Sequence, residues 1–384
     1  MPLPPNRPSA GNRLAGLRGP SEPQPYNARK IAALTANPGC SRRAVLDAAG
    51  IDKAKLARRL GYPDAYAQSP FALTRAHAFA QLVKANGYAE LITLLRAELD
   101  APVEEARVAD LTDVEGDQDT APGIRARQTR TLLRSLIVEK DSRVILDHPL
   151  LTLDIGGQTA YLEPDALTHR VGDRFHIVVI KSFSAIDGQA DPRKVAEAAK
   201  EAAVYVLALR RMFAALGAAP EQVADRFLLV CPKDFGNRPY GRLIDLRQQL
   251  DAVTYQIDRL GRAGEHAAAL PADATFDLST DDDQRPHVPT DRLTRTLTSL
   301  DYLYRPTCLH FCEISRHCRD AAFAAGQPER LGTSVRDDLP GLDNTTTALR
   351  AADSLAEPAA DQREVVERLR AAAQLRARHL PEAS

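Results

Sequence analysis

Residues 156–183 read GGQTAYLEPDALTHRVGDRFHIVVIKSF. Two β-branched, apolar runs, TAYLEPDAL and RFHIVVIKSF, are set off by turn signals at Gly156–Gly157 and at Val171–Asp173. Upstream, RVILDHPLLTLDI has the same texture, so the sequence predicts a meander of three strands. Asp165 follows Pro164 in the strand-like YLEPDAL, and Lys181 ends the very apolar IVVIKSF. A lysine closing a buried strand must reach solvent, a carboxylate or a phosphate. An acid and a lysine at the ends of neighbouring strands suit a divalent metal, a water and a scissile phosphate. The acid binds the metal, the metal lowers the pKa of the attacking water, and the lysine orients that water. The same pair also reads as a strand-end salt bridge without chemistry. Glu163 and Asp154 read as solvent-face residues of the meander, and His148, beside Pro149, as a turn residue.

Working outward, residues 1–26 are rich in Pro, Gly, Asn and Ser and read as a disordered tail. Residues 27–120 read as a helical region, in which SRRAVLDAAG, DKAKLARRLG and FALTRAHAFAQLVKA space apolar residues helically before an acidic loop from Val103 to Thr120. Residues 121–263 form the expected α/β core. It opens with a helix from Ile124 to Glu139 with a basic polar side. After the meander come an Ala-rich helix from Pro192 to Leu216, a buried strand RFLLVCP and a helix from Leu243 to Leu260. Residues 264–326 read as a C-terminal helical region, with a polar loop to residue 290 and a helix from Asp291 to Tyr302. Residues 327–384 read as a loosely ordered tail ending in an amphipathic helix. The expected fold is an α/β core of mixed sheet flanked by helices, inside N- and C-terminal helical additions.

The stretch RPTCLHFCEISRHCRDAA carries Cys308, Cys312 and Cys318, three of the chain's 5 cysteines. Soft thiolates at such spacing suit zinc or an iron–sulfur cluster. Cys40, in ANPGCSRRAVLD, sits where a turn meets a helix N-terminus, a place that favours the thiolate, and is the candidate fourth ligand. For zinc, His310 or His317 is the alternative to Cys40. Cys231, ending RFLLVC, reads as a small buried apolar residue.

Taken together, these segments resemble the RecB-like nucleases of the PD-(D/E)xK class. That family's pattern is a glycine-bearing hairpin leading to an Asp, a strand ending in (D/E)-x-K, and a helix carrying Q-x-x-x-Y. Here GGQTAYLEPDAL supplies Asp165, VIKSF supplies Lys181, and EAAVY supplies Tyr205, with Glu201 where the family has Gln. SPFALTRAHAFAQLV is similar to the family's first motif. The resemblance covers roughly residues 28–320 and implies a restriction-endonuclease-like core. Two positions depart from the pattern. Val179 stands at the (D/E) position, and Ala80 stands where the first motif has an acid, with His77 one turn earlier. The resemblance implies Asp165, Lys181, Glu201 and Tyr205 as catalytic residues, with Asp165 and Glu201 holding Mg²⁺ or Mn²⁺. The cysteine layout is similar to that of the AddB subunit of helicase–nucleases and of the CRISPR-associated adaptation exonucleases. It implies a [4Fe–4S] cluster on Cys40, Cys308, Cys312 and Cys318, with zinc as the alternative. The family's C-terminal run is C-x2-C-x5-C, whereas this chain has C-x3-C-x5-C.

Apolar residues make up 44% of the 384 residues, enough for a real core, although aromatics are 5% and tryptophan is absent. A formal net charge of -1 argues against an indiscriminate nucleic-acid coat protein but allows a local basic groove. No secretory signal or membrane-length apolar run is present, and with 5 cysteines a cytoplasmic setting with reduced or metal-bound thiols is expected. The function expected is a metal-dependent DNA nuclease, acting on single strands or ends in repair, recombination or defence, with DNA and a helicase or other pathway protein as partners. The alternatives are a catalytically degenerate nuclease fold that binds DNA or a protein, and a zinc-stabilised interaction module.

Overall fold

A computed structural model describes residues 10–62, 70–99, 106–111, 121–139, 144–155, 158–171, 174–260 and 263–379. Helices α1 (Ala10–Arg18), α2 (Ala28–Ala36), α3 (Ser41–Ala48), α4 (Lys53–Arg59) and α5 (Pro70–Leu99) lead to strand β1 (Arg107–Asp110) and helix α6 (Ala121–Val138). Strands β2 (Val144–Asp147), β3 (Leu151–Ile155), β4 (Gln158–Leu162), β5 (Ala166–Val171) and β6 (Arg174–Ile180) follow, then the short β7 (Ala185–Ile186) and β8 (Gln189–Ala190). Next come α7 (Pro192–Ala215), β9 (Arg226–Pro232), β10 (Pro239–Asp245), α8 (Arg247–Leu260) and α9 (Ala263–Ala268). The chain closes with α10 (Thr290–Thr298), α11 (Ser315–Ala324), α12 (Thr333–Asp337), α13 (Thr345–Asp353) and α14 (Arg363–His379).

The chain divides into two compact units. A sheet unit comprises Gln24–Pro38 and Ala67–Ala263, and a helical unit comprises Met1–Pro23, Gly39–Tyr66 and Gly264–Ser384. In the sheet unit six strands run in the order β1-β2-β5-β6-β9-β10. Pairs β1–β2 and β6–β9 are parallel and the others antiparallel, giving the expected mixed sheet. Strand β6, RFHIVVI, is buried on both faces, which accounts for its unbroken β-branched run. Val178 and Ile180 pack with Phe79, Val83, Leu91 and Leu95 of α5 on one face. Helix α7 packs against β3, β6 and β9. It starts at Pro192 because Asp191 caps it, accepting the Arg193 N–H at 2.9 Å, and it ends before Gly217 (φ +75).

Several sequence expectations are corrected. Only β2, β5 and β6 form the sheet's meander, because β3 and β4 pair with each other as a separate hairpin. Asp165 therefore lies in the bend between β4 and β5 rather than within a strand. Leu243 belongs to β10, and the helix expected from that residue begins at Arg247, after Asp245 has capped its first turn. Within the expected tail of residues 1–26, Ala10–Arg18 is helical and Leu17 is fully buried, packed in the helical unit's core. Residues 327–361 contain α12 and α13, and α13 and α14 enclose a small core of Leu342, Ala348, Val365 and Val366. Gly156, Gly157, Gly172, Asp173 and most of the acidic loop lie outside the described residues. No helix among the described residues is long and apolar enough to cross a membrane.

Candidate metal centres

The sheet unit gathers its charged side chains where β2, β5 and β6 end together. Register places Asp147 opposite Ala166 and Ala166 opposite Val178, so Asp147, Asp165 and Lys181 share one edge of the sheet. The Asp165 carboxylate accepts the Ile180 N–H at 2.7 Å, which fixes it across the end of β6. Lys181 Nζ lies 2.6 Å from Glu201 Oε2 on α7, and the Tyr205 hydroxyl donates to Glu201 Oε1 at 3.3 Å. Glu201 and Tyr205 are four residues apart and so share a helix face. Burial raises the pKa of Asp165, outweighing the Ile180 N–H and the charges of Lys181 and Lys84, and Glu201 adds to the rise. Burial likewise drives Tyr205 well above its ordinary value, helped by the charges of Glu201 and Asp165. The charges of Lys181, Glu201 and Lys84 thus each act on Asp165.

Four neighbours of this group escaped the sequence reading: Lys84, Tyr88, Asp110 and Asp147. Helix α5 breaks at Ala85–Tyr88, where Asn86, Gly87 and Tyr88 take left-handed backbone at φ 52, 63 and 67. The break brings two side chains of one short stretch to the same carboxylate. Lys84 Nζ is 2.7 Å from Asp147 Oδ1, and Tyr88 hydrogen-bonds to Asp147 as well. Burial pushes the Asp147 pKa up, but hydrogen bonds from His148, Lys84 and Tyr88 prevail and hold it at about 2. Asp147 also raises the pKa of His148, whose φ of +48 marks it as a turn residue. Ligand atoms of Asp110, Asp147 and His148 lie within 4.8 Å of one another, a spacing suited to a metal ion.

The two departures from the motif are structural as well as sequential. Val179 is 1% exposed and pairs with Leu229 in the sheet interior, so the (D/E) position is filled by an apolar side chain. Ala80 packs against the apolar cluster under α5, and His77 is exposed. Lys84, one turn beyond Ala80, is the residue of that helix that reaches the centre. Glu163 is exposed and pairs with Arg125 at 3.1 Å, while Asp154 is exposed and accepts the Thr159 hydroxyl.

In the helical unit Cys308, Cys312 and Cys318 are buried and Cys40 is half-buried at the N-cap of α3. All four are free thiols, and the Cys318 sulfur feels the charges of Cys40 and Cys308. Burial raises Cys312 to about 12 and Cys318 to about 11 in the bare chain, although neighbouring cations pull both down. Those cations are Arg42, Arg43 and Lys53. Arg42 is 2% exposed, donates to Cys318 Sγ at 3.3 Å and to the Leu300 carbonyl at 3.1 Å, and lies over the Tyr302 ring. Among the described residues it meets no carboxylate. Its Nε and Nη1 of Arg43 are buried without a hydrogen-bond partner there. A buried guanidinium in that state calls for an anion, and metal-bound thiolates and sulfides supply one. No three of the cysteine and histidine ligand atoms in this region come within 4.8 Å of one another among the described residues. His310 is exposed and His317 packs edge-on against Tyr62. Cys231 is buried in β9, where burial raises its thiol to about 11.

Arg43, Asp47 and Lys53 form a buried ion group behind these thiols, with Asp47 accepting from both cations. Burial opposes the charged carboxylate, but Lys53 and Arg43 outweigh it and hold the Asp47 pKa below the usual range. A carboxyl depressed on folding stabilises the fold above its unfolded pKa and loses that contribution as pH falls through the folded value. Asp47→Asn is therefore expected to cost about 3–5 kcal/mol at neutral pH, because it strands the buried Arg43 and leaves Lys53 with only the longer contact to Glu313. Urea unfolding of parent and variant measures the difference, and a loss under about 1 kcal/mol would mean the cations reach water.

Comparison with protein-family profiles finds no matching family, and comparison with curated proteins finds no relative. Among solved structures, a 2.19 Å crystal structure from Eubacterium rectale titled "Putative exonuclease" aligns with 69% of this chain and 87% of its own, at 14% identity and a TM-score of 0.30.

Proposed function

We propose that the sheet unit is a metal-dependent nuclease acting on DNA, and that the helical unit holds a [4Fe–4S] cluster on Cys40, Cys308, Cys312 and Cys318. The observation that carries the first part is the second carboxylate. Glu201 reaches Lys181 from α7 and acts on Asp165, compensating for the acid lost at Val179. A bound Mg²⁺ or Mn²⁺ supplies Lewis-acid chemistry at the phosphate and lowers the pKa of an attacking water. Asp165 and Glu201 offer the oxygens for that ion. Lys181 positions the water and offsets charge on the phosphate, and Tyr205 holds Glu201 in place. The second part is supported by Arg42, a buried cation that meets no carboxylate among the described residues and donates instead to Cys318 Sγ. The cluster when bound is a covalent staple between segments distant in sequence.

Lys84 favours a second reading, a nuclease fold retained for binding. Its ammonium already contacts Asp147 and acts on Asp165, where a divalent ion would otherwise neutralise carboxylates. One experiment separates the readings. Anaerobically purified protein is assayed on single-stranded DNA with Mg²⁺ and Mn²⁺, and Mn²⁺ binding is followed by calorimetry for the parent, Glu201→Gln and Lys84→Met. The nuclease reading expects cleavage and Mn²⁺ binding by the parent, both lost in Glu201→Gln. Binding that emerges only in Lys84→Met, with no cleavage by the parent, would establish the second reading instead.

A further inference from the structure

Helix α6, APGIRARQTRTLLRSLIV, carries four arginines and no aspartate or glutamate. Ala126, Thr129, Leu133 and Leu136 form its buried face. At 100° per residue Arg127, Arg130 and Arg134 fall together along one flank of that face, and all three are exposed. Among the described residues none of the three has a carboxylate partner. Elsewhere in this chain exposed arginines are commonly neutralised by an acid close in sequence, as Arg247 is by Asp245, Arg295 by Asp291 and Arg336 by Asp337. A solvated helix face of a chain with balanced charge would show the same mixing. Here three like charges stand in a row, which costs repulsion and which nothing in the helix offsets.

The position of the row gives it a use. The fourth arginine, Arg125, turns towards the centre, its Nη2 donating to the His148 carbonyl at 2.9 Å and pairing with Glu163 at 3.1 Å. One turn later Thr129 Oγ1 accepts the Leu150 N–H at 3.0 Å. These bonds tie the start of α6 to the loop after Asp147 and to the residues just before Asp165. From there Arg127, Arg130 and Arg134 lead away along about 10 Å of helix. That length matches a short run of consecutive phosphates on one extended strand, one for each arginine, more nearly than it matches both backbones of a duplex. We propose that this face of α6 is the track that holds the phosphate backbone of one nucleic-acid strand as it enters the Asp165–Lys181–Glu201 centre. The proposal rests on the nucleic-acid reading of that centre, but it requires binding only. Guanidinium groups pair with phosphate oxygens in a fork and take no information from the bases, so the track is indifferent to sequence.

Binding of a fluorescein-labelled oligo-dT of about 20 nucleotides to the full chain is measured by anisotropy across a salt series in EDTA, where no cleavage occurs. Replacing three phosphate contacts should reduce the salt slope by about 2, at about 0.7 per contact on a single strand. The variant R127Q/R130Q/R134Q should accordingly bind about a hundredfold more weakly at about 0.1 M salt. R127K/R130K/R134K should keep most of the slope, since it keeps the charges. All three side chains are exposed and unpaired, so circular dichroism and melting should match the parent. An unchanged slope in the glutamine variant overturns the proposal, and so does a parent that fails to bind oligo-dT. Loss of poly-glutamate binding with oligo-dT binding intact would assign the face to an acidic protein segment and overturn it too. A reduced slope in a protein that never cleaves DNA leaves the track standing and removes the nuclease reading alone.

Discussion

An Asp165→Asn variant is expected to lose Mg²⁺- and Mn²⁺-dependent cleavage to background yet to melt at a higher temperature than the parent. Both effects come from one carboxyl. Its pKa is raised on folding because burial outweighs the Ile180 N–H and the nearby lysines. A carboxyl raised in this way binds its proton more tightly in the folded chain. It contributes stability below its unfolded value of about 3.9 and loses it as pH rises through the folded value, so at neutral pH the carboxylate is a net cost. Asparagine removes that cost and can still accept the Ile180 N–H. It also removes the charge that would anchor a divalent ion, so added Mn²⁺ should raise the melting temperature of the parent and leave the variant unmoved. Lys181→Ala should lower kcat by roughly 10²–10³, the usual consequence of losing one group aimed at developing charge. Combining it with Asp165→Asn should do no further harm, because the two act on the same step. Undiminished cleavage by Asp165→Asn would end the assignment of this centre. A lower melting temperature would mean that Asp165 serves the fold as a strand-end partner for Lys181.

The parts of this site that were legible in the sequence were those where a charged residue interrupts an apolar run. Lys181 after IVVI announces itself, because no buried strand ends in an ammonium without a partner. The same logic applies to Asp147 after VIL, but His148 and Pro149 drew the reading towards a turn. The structure keeps both roles, since Asp147 is buried and His148 is the turn. Lys84 was harder to see. It closes a helical stretch, where lysines are common and normally solvated. Only the left-handed break at Asn86–Tyr88 turns it and Tyr88 onto one carboxylate, and the Asn-Gly pair was the available signal. The fold followed a similar pattern. Helix α7 and strand β9 were legible to within a residue, while the apolar run of β6 stops at Ile180 rather than continuing through Phe183. The separation of β3 and β4 into their own hairpin was invisible, because pairing is a tertiary choice that strand periodicity does not record. Helix α1 escaped because Pro and Gly on either side outweighed Leu17, whose burial depends on residues about 250 positions away in the helical unit.

Protein purified without oxygen should be brown, with a broad absorbance near about 400 nm, and Ser at Cys40, Cys308, Cys312 or Cys318 should bleach it. Cys231→Ser should keep the colour, because that thiol belongs to the core of the sheet unit. The expectation follows from charge as much as from spacing. Arg42, Arg43 and Lys53 are buried in the helical unit, where the carboxylates that meet them are Asp47, also buried, and Glu313, which is 27% exposed. With neutral thiols, one buried cation is left over, and Arg42 is the one that faces sulfur rather than carboxylate. Four thiolates holding a metal would remove that excess and would supply acceptors near the unpartnered Arg42 Nε and Arg43 Nη1. Removing the metal should therefore do more than bleach the protein. Structural metal sites contribute on the order of 10 kcal/mol to folding, comparable to the whole stability of a domain. Chelation or oxidation is expected to abolish the cooperative melting of the helical unit while a second transition, that of the sheet unit, persists in calorimetry. A colourless anaerobic preparation with stoichiometric zinc would replace the cluster with the smaller metal.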